Sequence, residues 1–371
     1  MILFVIIAVV ALLYIGQTSY YEKHWANGLT AKLSFSKSVA KIGEKLELVE
    51  EVSNNKWLPL PHLHVKFMTS NSFDFDNKDN STVTDHYYRN DIFTLLGYQK
   101  TERTLTFKTT KRGYFEILDS DLISGDIFFR RTFAKQEKNF TGLYVYPSLL
   151  DKANYPSALT NRDGELAAPL SYNINQYSYR GSREYIEGDP LNHINWKRTA
   201  KEQQLMTNLY TPVIEQEVTM IVNFKPFYEN SKDDLLEYVI RIIATLSDYY
   251  LRNNVHLHLY TNAYEGDKIS PFYMPHLNAK SQLDSLMKGL STINLKREPK
   301  DINDVLSDIK HISQSEDQTL IFISNDRTKQ LINSYLDLKR LYLSSSFIMP
   351  EYALVPIKID IPDMVYWEVV K

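Results

Sequence analysis

The feature that most limits the fold is a change of hydrophobic period near Glu217. Before it, short segments alternate apolar and polar residues: Ala31-Lys32-Leu33-Ser34-Phe35, Leu46 to Val52, Leu63-His64-Val65-Lys66-Phe67 and Thr104-Leu105-Thr106-Phe107-Lys108. A period of two puts one side of a strand in a core and the other in water. Several such strands with no helical period between them predict an antiparallel β-sandwich over residues 30–147, with the aromatics as its core. Residues 70–91 are polar and rich in Asn and Asp, and are expected to form a long loop or ragged hairpin. After Glu217, apolar runs (Val218–Phe224, Val255–Tyr260, Leu320–Ser324) alternate with helical spacing. Leu235, Leu236, Val239, Ile242, Ile243 and Leu246 recur at that spacing behind a Ser231 cap and the acids Asp233 and Asp234. Further helices are expected over about 279–290, 302–312 and 328–342, and strands near 353–359 and 364–370. Strands alternating with helices predict a parallel, doubly wound sheet over 217–371.

Residues 1–21 carry no charge, and Glu22 is the first charged residue. About 20 apolar residues span a bilayer core. No basic leader or small-x-small cleavage site marks a signal peptide, so a retained transmembrane anchor is expected over 1–21. Lys23, Lys32 and Lys37 follow the span, which by the positive-inside rule places the body of a single-pass protein in the cytoplasm. The 371 residues suit two domains. A net charge of −3 offers no global basic field, which argues against nucleic acid as a partner. The absence of cysteine excludes disulfides, thiolate metal sites and a cysteine nucleophile. There is no phosphate-binding loop, dinucleotide glycine fingerprint, Gly-x-Ser-x-Gly or zinc-protease motif.

Residues 148–216 form a linker followed by a dense charged stretch, Tyr179–Ala200. That stretch gathers Arg180, Arg183, Lys197 and Arg198 with Glu184, Glu187 and Asp189 around Trp196, and breaks at Gly188-Asp189-Pro190. Arginines beside carboxylates can fix a loop without secondary structure. An ordered charged loop packed on a domain is therefore expected. Tyr172, Tyr177, Tyr179 and Tyr185 crowd it, and Tyr with Arg is the composition of interface hot spots as well as of local loop packing. Glu184 and Asp189 are candidates for an acid/base pair, as in a hydrolase, although the flanking arginines argue that both stay ionised.

The pattern Arg183-Glu184-Tyr185, Gly188-Asp189-Pro190, Ile194-Asn195-Trp196-Lys197 and Ala200 resembles the signature of the bacterial family known as domain of unknown function 58. Lys111-Arg112-Gly113-Tyr114-Phe115 and Val145-Tyr146-Pro147 resemble that family's motifs at the end of its β domain. The resemblance implies a von Willebrand factor A-like C-terminal domain and a MoxR-type AAA+ ATPase as partner in assembling or maturing other proteins at the membrane. That fold's metal motif, Asp-x-Ser-x-Ser with a later Asp, falls here on Asn223, Lys225 and Phe227 and on Asn325; a shift by one recovers Asp326 alone. A divalent ion needs hard anionic oxygens, so a degenerate site, with no metal or cofactor and with Lys225 as a fixed ammonium in the ion's place, is expected. His256 and His258 share one side of a strand, with no third zinc ligand evident in sequence; His62 and His64 are equally undiagnostic.

The expected architecture is thus a multidomain chain: a transmembrane anchor (1–21), a β-sandwich (30–147), a linker and charged loop (148–216) and a von Willebrand factor A-like domain (217–371). The expected role is a membrane-anchored, non-enzymatic interaction scaffold. The alternatives are a membrane-bound hydrolase using Glu184 and Asp189, or an extracytoplasmic adhesion module.

Overall fold

The computed structural model describes residues 2–126, 131–160, 166, 176–187, 189, 191–213, 217–227, 232–277, 280–312, 318–352, 361 and 363–370. The chain divides into two compact units, Met1–Ser148 and Leu149–Lys371.

The first unit opens with helix α1 (Ile2–His24), followed by strands β1 (Leu29–Phe35), β2 (Val39–Lys41), β3 (Lys45–Asn54), β4 (Leu60–Ser70), β5 (Phe73–Phe75), β6 (Ser81–Val83), β7 (His86–Leu95), β8 (Lys100–Thr109), β9 (Gly113–Gly125) and β10 (Thr132–Tyr146). They form two sheets, ordered β1-β3-β8-β5 and β2-β10-β9-β4-β7-β6. All pairs are antiparallel except β2 with β10. This is the sandwich that the period of two predicts. Leu46, Leu48, Phe73, Phe75, Phe107, Leu143 and Val145 close one part of its core. Leu29, Val52, Leu60, Leu63, Val65, Phe93 and Leu122 close the other. Fully burying a Leu or Phe contributes about 1.5–3 kcal/mol, so these two clusters carry the unit. A bulge in β10 between Lys138 and Thr141 turns Asn139 inward. Its Oδ1 accepts from Leu33 N (2.9 Å) and its Nδ2 donates to Ser120 Oγ (2.9 Å), which ties the two sheets together.

Two expectations for this unit are corrected. Among the described residues no helix is long and apolar enough to cross a membrane. The C-terminal part of α1 is committed to protein instead. Thr18, Tyr21 and the following Trp25 are buried, Tyr21 OH donates to Pro59 O (2.8 Å) and Thr18 Oγ1 to Asp126 Oδ2 (3.3 Å). Neither the anchor over 1–21 nor the single-pass membrane localisation drawn from it is kept. Of the long loop or ragged hairpin expected over 70–91, the hairpin is what forms: β6 pairs antiparallel with the start of β7, and β5 precedes them. β7 alternates faithfully, but three of its inward positions are Tyr87, Arg89 and Asp91, all buried. A charged residue on the inner side hides a strand from a hydrophobicity pattern.

Those inward charges form a compact network. Arg89 donates from Nε to Asp91 Oδ2 (2.8 Å) and from Nη2 to Oδ1 (3.1 Å), and Arg103 Nη1 donates to the same Oδ1 (3.1 Å). Arg103 also lies over the Phe93 ring, 4.3 Å from its centroid. Glu50 sits directly across the strand pair from Arg103. It is fully buried, and neither carboxyl oxygen has a hydrogen-bond partner among the described residues. Burial, and after it the charge of Asp91, pushes the Glu50 carboxyl up to about 8, against the pull of Arg103 and Arg89. Glu50 therefore keeps its proton to a higher pH than an exposed glutamate does.

The second unit contains β11 (Gln176–Glu184), α2 (Trp196–Glu202), β12 (Met206–Val213), β13 (Glu217–Asn223), α3 (Lys232–Arg252), β14 (His256–Glu265), β15 (Pro271–Leu277), α4 (Leu283–Ser291), β16 (Ile293–Asn294), α5 (Ile302–Ile312), β17 (Thr319–Ser324), α6 (Lys329–Lys339), β18 (Ser344–Glu351) and β19 (Met364–Glu368). β11 and β12 make a two-stranded ribbon. The others form a seven-stranded sheet ordered β15-β14-β13-β17-β18-β19, with β16 pairing β14. α5 and α6 bury Ile302, Leu306, Ile309, Leu331, Tyr335 and Leu338 against Ile221, Phe322 and Phe347 of the sheet. The linker start is held to this unit: Leu150 N donates to Thr245 Oγ1 (2.9 Å) and the Tyr155 ring stands edge-on to Trp367.

The von Willebrand factor A-like, parallel doubly wound sheet expected for 217–371 is not what forms. The sheet is mixed: β13, β14, β17, β18 and β19 run parallel, but β15 and β16 both pair antiparallel with β14. The reason is the short connection 266–270, which allows only a hairpin; a parallel crossover needs a dozen residues or more. β15 carries Pro271 and Pro275, which confine it to an edge. Among the described residues strand outweighs helix. The strand expected near 353–359 lies outside the described residues.

Candidate functional site

The charged stretch is not a loop without secondary structure. β11 and β12 pair from Gln176–Val213 to Glu184–Met206, and their connection folds into a 3₁₀ turn (Leu191–His193) and α2. Asn195 explains where α2 begins: its Oδ1 accepts from Arg198 N (3.0 Å), the bond of a helix N-cap. Its own N donates to Met206 O (2.8 Å), fastening the connection back onto β12. α2 ends at Gln203, which takes the left-handed conformation (φ 54°).

The charges of this element are turned on itself. Arg183 Nη2 donates to Asp189 Oδ1 (2.7 Å) and its Nη1 to Glu184 O (2.9 Å). The other carboxylate oxygen of Asp189 accepts from Ile186 N (3.1 Å). The Arg183 guanidinium, then the Ile186 N–H, hold the Asp189 carboxyl below the usual carboxylate range. Glu184 Oε1 accepts from Gln204 Nε2 (3.0 Å), and Arg198 Nη1 donates to Ser182 Oγ (2.6 Å). Tyr185 is half-buried, with its N–H on Leu205 O (2.8 Å). Arg180 lies at the bulge of β11 between Tyr179 and Gly181, while Gly188 and Tyr172 fall outside the described residues. What faces water includes large apolar side chains, lysines, and the acids Glu187 and Glu202. Ile186 is 61%, Leu191 71% and Trp196 68% exposed, and Lys197 and Lys201 are exposed beside them.

The positions assigned to a degenerate metal site do converge, at the carboxyl ends of β13, β17 and β18, where open sheets with parallel strands bind ligands. They are spent on each other. Asn223 Nδ2 donates to Ser324 Oγ (3.1 Å), while its Oδ1 accepts from Asn262 Nδ2 (2.8 Å) and Lys225 N (3.1 Å). Asn325 Oδ1 accepts from Phe227 N (3.1 Å), and its amide donates to Pro350 O (2.8 Å) and Glu351 Oε2 (2.9 Å). Asp326 Oδ1 accepts from Thr328 N (3.0 Å). Glu351 is buried and takes Arg327 Nη2, whose guanidinium lies over the Phe227 ring. These residues do not fit a divalent cation: amides that donate and a guanidinium stand where anionic oxygens are needed. No group of three or more His, Asp or Glu among the described residues is placed to hold a metal. The cation held in this network is Arg327, not Lys225, whose side chain is exposed. Arg327, Glu351 and Asn262 were missed in sequence. The only local signal was an Arg following Asn325-Asp326; Glu351 and Asn262 lie on other strands.

His256 and His258 have closer company than their sequence suggests. Glu217 on the neighbouring strand places Oε1 3.8 Å from His256 Nδ1 and Oε2 4.0 Å from His258 Nε2. From β15, His276 stands edge-on to His258 (4.8 Å between rings), and its N–H donates to His258 Nδ1 (3.3 Å). Burial, then His276, pushes the His258 imidazole below its ordinary value; His256 adds to this and Glu217 opposes it. A protonated Nδ1 cannot accept the His276 N–H. In the unfolded chain His258 takes up a proton more readily, so its stabilising contribution is present above about pH 6.5 and is lost as pH falls below it. Exchange of the His276 amide, corrected for its intrinsic rate, is expected to quicken severalfold between about pH 7.5 and 5.5. An unchanged corrected rate would show that this bond does not hold β15.

No family model matches the chain, and no curated protein is significantly similar to it. Several solved structures are similar to part of the chain. The CARDB domain of the PF1109 protein from Pyrococcus furiosus is 13% identical over 32% of this chain and 91% of its own, with a TM-score of 0.22. Domains D2 and D3 of the major pilin SpaD from Corynebacterium diphtheriae are 12% identical over 31% and 52%, with a TM-score of 0.24. A non-cellulosomal cohesin from Archaeoglobus fulgidus is 10% identical over 31% and 91%, with a TM-score of 0.22. Each covers about a third of this chain, and none carries a function over to it.

Proposed function

We propose that this chain is a non-enzymatic interaction scaffold whose ribbon β11–β12, with the α2 connection, is the docking element. The observation that carries this is the division of labour within that element: Asp189, Glu184 and Arg198 bond to other groups of the element, while Leu191, Trp196 and Ile186 stay in water. A rigid frame that exposes an indole is the form of an interface anchor. The resemblance to the domain of unknown function 58 family, which rests on its motifs alone, points to a MoxR-type AAA+ ATPase as the partner. The hydrolase alternative is not favoured, because Asp189 is tied to Arg183 and held ionised, which unfits it as an acid at neutral pH.

The test is direct binding of the purified full chain to a purified MoxR-type ATPase, comparing wild type with Trp196→Ser. Loss of a central Trp anchor is expected to weaken binding by about thirtyfold or more. The melting temperature should barely move, since substitution of an exposed side chain stays within about 0.5 kcal/mol. The reading fails if the wild type does not bind, or if the variant binds equally well.

A further inference from the structure

We propose that the docking element takes a short acidic protein segment bearing an apolar side chain, seated along α2; this rests on the reading that the element is an interface. From Trp196 to Lys201 the helix carries Lys197, Arg198 and Lys201 and no acid, and all three cations are exposed. Lys197 and Lys201 stand one turn apart on the same side of the helix. Like charges so placed are mutually unfavourable. Two acids of the element are engaged elsewhere: Asp189 is held by Arg183 and Ile186 N, and Glu184 accepts from Gln204. Arg198 spends one Nη on Ser182 Oγ. A carboxylate from outside would neutralise the two lysines. Trp196 and Leu191, both more than two-thirds exposed, supply the surface for an apolar side chain beside that carboxylate. The strip is also bounded. Glu187 on one side and Glu202 at the helix end are exposed acids that repel a long polyanion, so a nucleic acid backbone does not suit it and a short segment does.

The experiment uses the full chain and two labelled peptides of equal length. One is rich in glutamate with a single leucine; in the other, every glutamate is lysine. Fluorescence anisotropy is expected to show the acidic peptide binding at least about tenfold more tightly, with affinity falling as salt rises. The Lys197→Glu/Lys201→Glu double variant should reverse the preference, and Lys197→Arg/Lys201→Arg should keep it. Equal binding of the two peptides, binding of neither, or a preference that survives charge reversal overturns the proposal. Against the ATPase, binding lost in Trp196→Ser but unchanged by charge reversal leaves the interface standing and removes the acidic partner; binding unchanged by both removes the interface itself.

Discussion

Glu50→Gln is expected to abolish a loss of stability on the order of 4 kcal/mol that the wild-type sandwich suffers between about pH 5 and 8. The folded carboxyl titrates at about 8, whereas in the unfolded chain it titrates near the ordinary glutamate value. Between these values the native state holds a proton that the unfolded state has released. Stability is therefore full below the unfolded value, declines by about 1.4 kcal/mol for each pH unit, and is lost as pH rises through the folded value. Gln mimics the protonated acid in shape and cannot ionise, so its profile should be flat where the wild type slopes. Denaturant unfolding across this pH range, followed by amide exchange in β3 and β8, reads the difference within the first unit. A wild-type profile as flat as that of Glu50→Gln would mean that the buried group is not carrying a proton.

Arg327→Ala is expected to cost about 3–5 kcal/mol, because it leaves Glu351 buried without its cation. Asn325 Nδ2 and Tyr352 N would still donate to Glu351, but two amide donors do not offset a desolvated carboxylate. Replacing both partners together, as Arg327→Met with Glu351→Leu, should recover most of that loss, since an apolar pair of similar volume removes the charge that needed company. Denaturant unfolding of the two single variants and the double variant closes the cycle. A cost below about 1 kcal/mol for Arg327→Ala would place the pair among solvent-screened surface bridges.

How much was legible in the sequence depends on which information is local. The alternation in Leu63–Phe67 and Thr104–Lys108 identified strands, and the helical spacing over 302–312 coincided with α5. Asn195 capping α2 was missed even though the signal is short-range, because the charges around it suggested a loop held by ion pairs alone. β7 was missed because Arg89 and Asp91 point inward, and their burial makes sense only once Arg103 arrives from β8. β15 was missed because PFYMPHL has no clean period and two prolines; its place on the edge of the sheet makes them tolerable. For the candidate site, the sequence places Arg183 and Asp189 near each other along the chain, but only the fold shows that the two pair.

The sequence by itself determined where several of the strands and helices lie, that a sandwich precedes a region of alternating strands and helices, and which stretch concentrates arginine, acid and tryptophan. These follow from side-chain periodicity and composition, which depend on near neighbours along the chain. Only the tertiary structure decided that β14 turns back into an antiparallel edge, that the end of α1 packs on the sandwich, that Glu50 keeps its proton to a higher pH, and that Arg327 and Glu351 complete the network at the strand ends. Each of these depends on which distant residue shares a low-dielectric contact, and no local pattern records the distance between groups far apart in sequence.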